Sequence, residues 1–364
     1  MEQFKQRTIN FDGTEIIEYG FSDENEPFQK FDKTSLYPQL DTLEKIYEKE
    51  KLLVIDGKRH PSVLLAAIDL ENLENYTQDN KFQIPPFLEK FYEGMKAEKV
   101  KPKHTNGRRI RIVDHRPSFG TKNYILNIQE TSYFDFMMTN ASQDAILKNY
   151  DSKFFEGSTL RSLNALDGKA YPLHASSMSN MLGLAFLIKI NDSKDNPYLF
   201  FGKRKGDRTV GANTVSLLGG TPEWDDGFKD KSVKLRDVVY KNTKEELNEE
   251  LGIPANEFDI TKLYFCQDFT RAPTLIVKSE IGKSKINSNG KIVLEDMIDI
   301  LSSTPSVKDE HSEFYAVPAT KQGFDAIINN YNFNVISRTG FFLYLSHGKN
   351  YIPKAPTFFP FKKK

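Results

Sequence analysis

Apolar positions along the chain follow different patterns on either side of a polar stretch, Ala175 to Asn180 (ASSMSN). Before it, Leu43, Ile46 and Tyr47 recur at helical spacing within Leu43 to Lys51. Leu52 to Ile55 reads as a short buried strand closed by the Asp56-Gly57 turn. Ser62 to Leu73 and Pro86 to Glu98 carry patterns that predict helices, and Arg108 to Val113 and Tyr124 to Ile128 alternate as strands. Tyr133 to Met138 is aromatic and suits helix or strand. After the stretch, Leu184 to Ile190 and Tyr198 to Gly202 form a strand pair around the turn-rich NDSKDNP. Thr214 to Leu218 is a further strand ended by Gly219-Gly220, followed by a charged insertion from Thr221 to Lys234 and a helix from Leu235 to Leu251. Strands at Lys262 to Phe269, Thr274 to Ser279 and Phe314 to Val317 follow, with helices at Ile292 to Leu301 and Phe324 to Asn329.

These elements predict an α+β N-terminal domain over residues 1–175 and an α/β domain over 176–364, the latter a sandwich with a mixed sheet. A chain of 364 residues suggests one large or two ordinary domains and is long enough to bury a proper core. Charge adds one exclusion. Lys plus Arg and Asp plus Glu both number 50, and a balanced chain is not one held mainly by the nucleic-acid backbone. The single cysteine, Cys266, excludes an internal disulfide or a multi-cysteine metal site, and its neighbours Tyr264, Phe265 and Phe269 make it a small core residue. The first residues hold no apolar signal run, and the longest apolar stretch, Met181 to Ile190, is too short to span a bilayer. The expected setting is therefore cytoplasmic, without membrane contact. The closing FKKK reads as a solvated tail.

The chemistry concentrates in Lys244-Glu245-Glu246-Leu247-Asn248-Glu249-Glu250-Leu251-Gly252-Ile253. Glu246, Glu249 and Glu250 stand at i, i+3 and i+4, on one helical face. Tyr240, Leu247 and Leu251 form a neighbouring stripe suited to packing on a sheet. Gly252 occupies the place of a left-handed cap, and Pro254 stops the helix from resuming. Each like-charged pair costs a few tenths of a kcal/mol, roughly, and the helix C-terminus disfavours negative charge by about as much. A bound cation reverses that sign, and clustered carboxylates suit magnesium or manganese.

This order resembles the Nudix hydrolase superfamily, whose signature runs Gly, five residues, Glu, seven residues, then Arg-Glu-aliphatic-x-Glu-Glu-x-Gly-aliphatic. Glu246, Leu247, Glu249, Glu250, Gly252 and Ile253 match its second half, Gly220 its opening glycine, and Asp237 falls seven residues before Glu245, where the family has its first Glu. Glu245 stands where the family has arginine. The gap after Gly220 is longer, with an insertion holding Trp224, Asp225 and Asp226.

The resemblance implies a Nudix-type α/β/α sandwich and hydrolysis of a nucleoside diphosphate linked to another group, by water attack on phosphorus. It implies Mg2+ or Mn2+ held by Glu246, Glu249 and Glu250, with the general base open between the helix glutamates, Glu310 and Glu313. Lys203, Arg204, Lys205 and Arg208, beside Gly219 and Gly220, are the expected phosphate partners, and Trp224 either stacks a base or caps a hydrophobic edge. Family members often pair, so a homodimer is the matching expectation. The alternative is a degenerate domain that binds a nucleotide as sensor or scaffold; the blandest reading is an interaction domain with a solvated acidic helix. In the N-terminal half, Arg109 and Arg111 share a strand face suited to a phosphate grip or to edge ion pairs, beside Arg108, Arg116 and His115.

Overall fold

The computed structural model describes residues 5–11, 13–20, 54–55, 58–59, 62–100, 105–143, 158–166, 169–205, 214–268, 270–281, 292–304, 311–331 and 333–346. The helix expected at Leu43 to Lys51, the FKKK tail, Arg208 and Glu310 lie outside these residues.

The principal strands are β1 (Lys5–Phe11), β2 (Thr14–Gly20), β3 (Ser62–Asp69), β4 (Leu73–Lys81), β5 (Arg108–Pro117), β6 (Tyr124–Ser132) and β7 (Gly183–Asn191). They continue with β8 (Pro197–Arg204), β9 (Val215–Ser216), β10 (Phe258–Asp268), β11 (Pro273–Ile281) and β12 (His311–Pro318). The main helices are α1 (Glu89–Lys99), α2 (Tyr133–Met138), α3 (Leu235–Leu251), α4 (Met297–Ser303), α5 (Lys321–Asn330) and α6 (Val335–Leu345).

Among the described residues, nine strands form one mixed sheet in the order β1-β2-β12-β8-β7-β11-β10-β3, with β9 pairing β8. Only β7 and β11 run parallel in it. Its middle strand shows why the fold is a sandwich. Along β7, Leu184, Phe186, Ile188 and Ile190 point into a core shared with Leu235, Val239, Leu247 and Leu251 of α3. The alternate residues Ala185 and Leu187 point into a second core with Phe324 and Ile327 of α5 and Phe341 and Leu343 of α6. A strand covered on both faces reads as one apolar run, which is what the sequence shows there. No described helix is long and apolar enough to cross a membrane.

Two expectations are corrected by tertiary pairing. Ser62 to Leu73 is not a helix but β3, a turn and the start of β4, because β3 pairs with β10 (Ala66 opposite Phe265) and both its faces find a core. The expected boundary near residue 175 is crossed by backbone: β1, β2 and β3, all from the first 175 residues, are strands of the same sheet as β7 and β10. The smaller sheet β4-β6-β5 packs Ile110, Ile112, Leu126 and Ile128 into the α3 core rather than into a core of its own. Finally, α6 falls on an unassigned segment. Its residues VISRTGFFLYL set the polar Ser337, Arg338 and Thr339, with Gly340, all four buried, between two apolar runs, and leave no continuous polar face of the kind that marks a surface helix. The glycine has a packing reason: a Cβ there would lie 2.9 Å from Leu217 Cδ1.

The polar stretch 175–180 is not a linker. Ser179 and Asn180 are fully buried. Asn180 N–H donates to Asn140 Oδ1 at 2.8 Å, Ser179 N–H donates to Thr139 Oγ1 at 3.0 Å, and Ile112 N–H donates to the Asn180 carbonyl at 3.1 Å. Asn180 adopts φ 44°, a left-handed conformation that asparagine tolerates better than most residues. Polarity that reads as exposure in the sequence is here a satisfied buried network.

Candidate active site

Helix α3 begins and ends where its pattern predicts, and Gly252 caps it at φ 70° with its N–H donating to the Asn248 carbonyl at 2.8 Å. Its buried face consists of Leu235, Val239, Thr243, Leu247, Glu250 and Leu251. Tyr240 is not part of that stripe; it is exposed, and the Lys244 ammonium sits 4.5 Å from its ring centroid. Glu246 is half-buried, Glu249 exposed and Glu250 buried.

The segment after β9 lies along β7, with Phe186 N–H donating to the Leu218 carbonyl at 2.8 Å and Leu184 N–H to the Gly220 carbonyl at 2.9 Å. This close approach explains both glycines. A Cβ on Gly219 would run into the Leu184 carbonyl oxygen, and one on Gly220 would overlap the Glu246 carboxylate, with Cδ at 2.8 Å. The glycine bend and the acidic helix therefore meet, a contact the sequence alone only suggested.

Glu250 faces a partner the sequence did not reveal. His311, at the start of β12, is buried with Nε2 3.4 Å from Glu250 Oε1 and its ring 5.3 Å from that of Phe314. Gly202 of β8 gives the imidazole its space, since a Cβ there would strike the ring. The scattered histidines offered no spacing to single His311 out; only the β8–β12 pairing brings it to α3.

Among the described residues, no three His, Cys, Asp or Glu side chains converge on a point. Glu246 lies against Gly220, Glu250 faces His311, and Glu249 is exposed. Magnesium needs less than a full protein cage, since one or two carboxylates with water and substrate phosphate suffice. Glu246 and Glu250, one i, i+4 step apart on the sheet side of α3, fit that simpler arrangement.

The basic residues divide. Arg204 lines a cavity of about 260 Å³ beside Gly219, and its guanidinium donates to the Gly219 carbonyl at 3.5 Å. Lys203 instead forms an ion pair with Glu313 at 3.0 Å across the β8–β12 pair, so Glu313 is a strand residue rather than part of a solvated loop. Trp224 is buried against Phe228, ring centroids 5.2 Å apart, and belongs to the core. It caps a hydrophobic edge and has no face to offer a base. Glu245, where the family has arginine, pairs with Lys241 at 3.7 Å on the exposed side. Cys266 is fully buried and burial pushes its thiol up, as a core residue requires.

The arginines of β5 find partners within the fold. Arg109 pairs with Glu223 at 2.8 Å, and Arg111 donates to Gln129 Oε1 at 2.7 Å and to the carbonyls of Ser176 and Met178, stacked over Phe82. Burial without a carboxylate lowers Arg111 to about 10. His115 bonds the Tyr124 hydroxyl at 2.6 Å and rests on Phe265.

Arg108 ties the smaller sheet to the insertion. It bonds Glu130 at 2.8 Å and also Asp226, while Lys81 holds Glu130 at 2.7 Å. Burial of Glu130 raises its carboxyl pKa, but the bonds from Arg108 and Lys81 win and hold it below the ordinary range. A depressed folded-state pKa stabilises the fold above the unfolded value, near 4.3, and that stability is lost as pH falls through the folded value. Urea titrations should therefore show the midpoint falling below about pH 4.3, and Glu130→Gln should flatten that acid limb. An unchanged limb would remove Glu130 from the account.

No described protein family matches the chain, and no curated protein matches it either. Solved structures that it resembles include a MutT protein from Methanosarcina mazei Go1, 13% identical, with 46% of this chain and 94% of that chain covered and a TM-score of 0.28. Another is the Nudix hydrolase RenU from M. smegmatis, 13% identical, covering 34% of this chain and 77% of that one with a TM-score of 0.21. Superpositions this loose decide nothing about function, which rests on the residues themselves.

Proposed function

We propose that this chain is a metal-dependent hydrolase of Nudix type, cleaving the pyrophosphate of a nucleoside diphosphate linked to another group. The observation that carries this reading is the seating of the Gly219-Gly220 bend against Glu246 of the acidic helix, beside a cavity that Arg204 lines. Glu246 and Glu250 would hold Mg2+ or Mn2+. When bound, such an ion neutralises pyrophosphate and makes water more acidic. Arg204 would meet the phosphate charge, and the Gly219 backbone would let it approach. Glu249, exposed on the same turn, would take the proton of the attacking water. Glu310, which directly precedes buried His311 in sequence, is the other candidate base. His311 orients the Glu250 carboxylate.

A second reading has its own support. Glu245 in the arginine position and three glutamates that do not converge both favour a domain that binds a nucleotide without cleaving it. A cytoplasmic setting and a homodimer complete the proposal. The deciding test is phosphate release, coupled to a phosphatase, from ADP-ribose, NADH and a nucleotide sugar with and without magnesium or manganese. Turnover only with metal is expected. Absence of turnover together with a nucleotide-raised melting temperature gives the binding reading; neither effect sinks both.

A further inference from the structure

The cavity beside Gly219 is built from both parts of the chain. One wall is Tyr133 and Phe136 of α2, from the region without assigned function; the floor is Ala185 and Leu217 of the central sheet. The aromatic residues are one helical turn apart, ring centroids 6.4 Å apart, and a capping box between Ser132 and Asp135 fixes the start of their helix. Polar groups line it as well. Asp268, at the end of β10, lines the cavity and uses Oδ1 to accept from Thr270 N–H at 2.8 Å and from the Thr270 hydroxyl at 2.6 Å. The carboxylate also feels the charge of Arg161, and it lines the cavity as an acceptor. Ser216 also lines the cavity, is nine-tenths buried at 6% exposure, and its hydroxyl oxygen has no hydrogen-bond partner among the described residues. A buried hydroxyl without a partner is costly, and a ligand that bonds it recovers that cost.

Size and chemistry narrow the occupant. About 260 Å³ is below the usual range for a whole drug-sized ligand and suits one ring system. Aromatic walls favour a flat ring, since stacking accepts any π face. An acceptor at Asp268 and a donor at Ser216 ask the ring edge for one hydrogen-bond donor and one acceptor. Gly219 lines the cavity and Gly220 touches Glu246, so a ring seated here would extend its phosphates toward the acidic helix.

We infer that this cavity receives the nucleobase of the substrate, bonded at its edge by Asp268 and Ser216 against an aromatic wall supplied by α2. The inference rests on the hydrolase reading only for the placement of the phosphates. Burial raises the Asp268 carboxyl pKa, and an amino donor from the ligand offsets that burial. The first half of the chain thereby gains a task, as part of the specificity wall.

Metal-free binding isolates this site from catalysis. In EDTA, calorimetric titration should show AMP binding about tenfold or more tighter than ribose 5-phosphate, which lacks the ring. Ser216→Ala and Phe136→Leu should each weaken AMP by about tenfold while leaving ribose 5-phosphate unchanged, with melting curves confirming that both variants fold. Equal binding of AMP and ribose 5-phosphate, no binding of AMP, or full AMP affinity in both variants would overturn the assignment. The two readings fail separately. Preferential AMP binding with no metal-dependent turnover sinks the hydrolase and keeps the pocket; metal-dependent turnover with no preference for AMP over ribose 5-phosphate sinks the pocket and keeps the hydrolase.

Discussion

Glu246→Gln should lower metal-dependent turnover by about a hundredfold or more, with the melting temperature unchanged. The amide keeps the shape of the side chain and removes the charge, so the loss reports on the carboxylate and not on packing. Gly220→Ala should produce a similar loss by a different route. Its new methyl would overlap the Glu246 carboxylate and push it aside, and a displacement of about 1 Å in a reacting constellation costs about a hundredfold. Combined, the two changes should cost little more than either alone, because both disable the same contact. Glu245→Gln serves as the control. That residue is exposed and pairs only across the outer face with Lys241, so its turnover should stay within about twofold. Steady-state kinetics with ADP-ribose and manganese measures all four. Wild-type turnover in Glu246→Gln would remove the acidic helix from the chemistry.

Phe186→Ala should have the largest effect on stability, about 3–5 kcal/mol. The ring is fully buried in the middle of β7, in a core that holds residues of α3 and of the smaller sheet together. Because that core draws on both halves of the chain, the loss should appear as one transition. Trp224 lies in the same core and reports it by fluorescence, while far-UV circular dichroism reports the sheet. Coincident urea midpoints, both shifted, are the expected result. Two separate transitions, only one of them moved, would mean that the halves unfold independently.

The second half of the fold was largely legible because its signals are local. The α3 boundaries follow from periodicity, a glycine cap and a proline, and the doubly covered strand β7 announces itself as an apolar run. What the sequence could not carry was pairing at a distance. Nothing within SVLLAAID distinguishes a buried strand from a helix until β10 arrives beside it. The chain break expected at ASSMSN failed for a related reason, since polar side chains signal solvent unless their partners, here Asn140 and Thr139, are already in view. At the site, the glutamates and Gly220 were evident from spacing. His311, Asp268 and Ser216 were not, because each acquires its role from a strand or helix remote in sequence. Nor could spacing show that Trp224 packs on Phe228 and that Lys203 pairs with Glu313.

Strand β3 closes the far edge of the sheet, and all seven of its paired positions lie against β10. A shortened chain starting at residue 176 would strip that cover. The backbone donors and acceptors of β10 would then face water along an apolar ribbon, open to another molecule's strand. The early residues thus work as a built-in guard against self-association, and preparations lacking them should be expected to precipitate rather than behave as a smaller working unit.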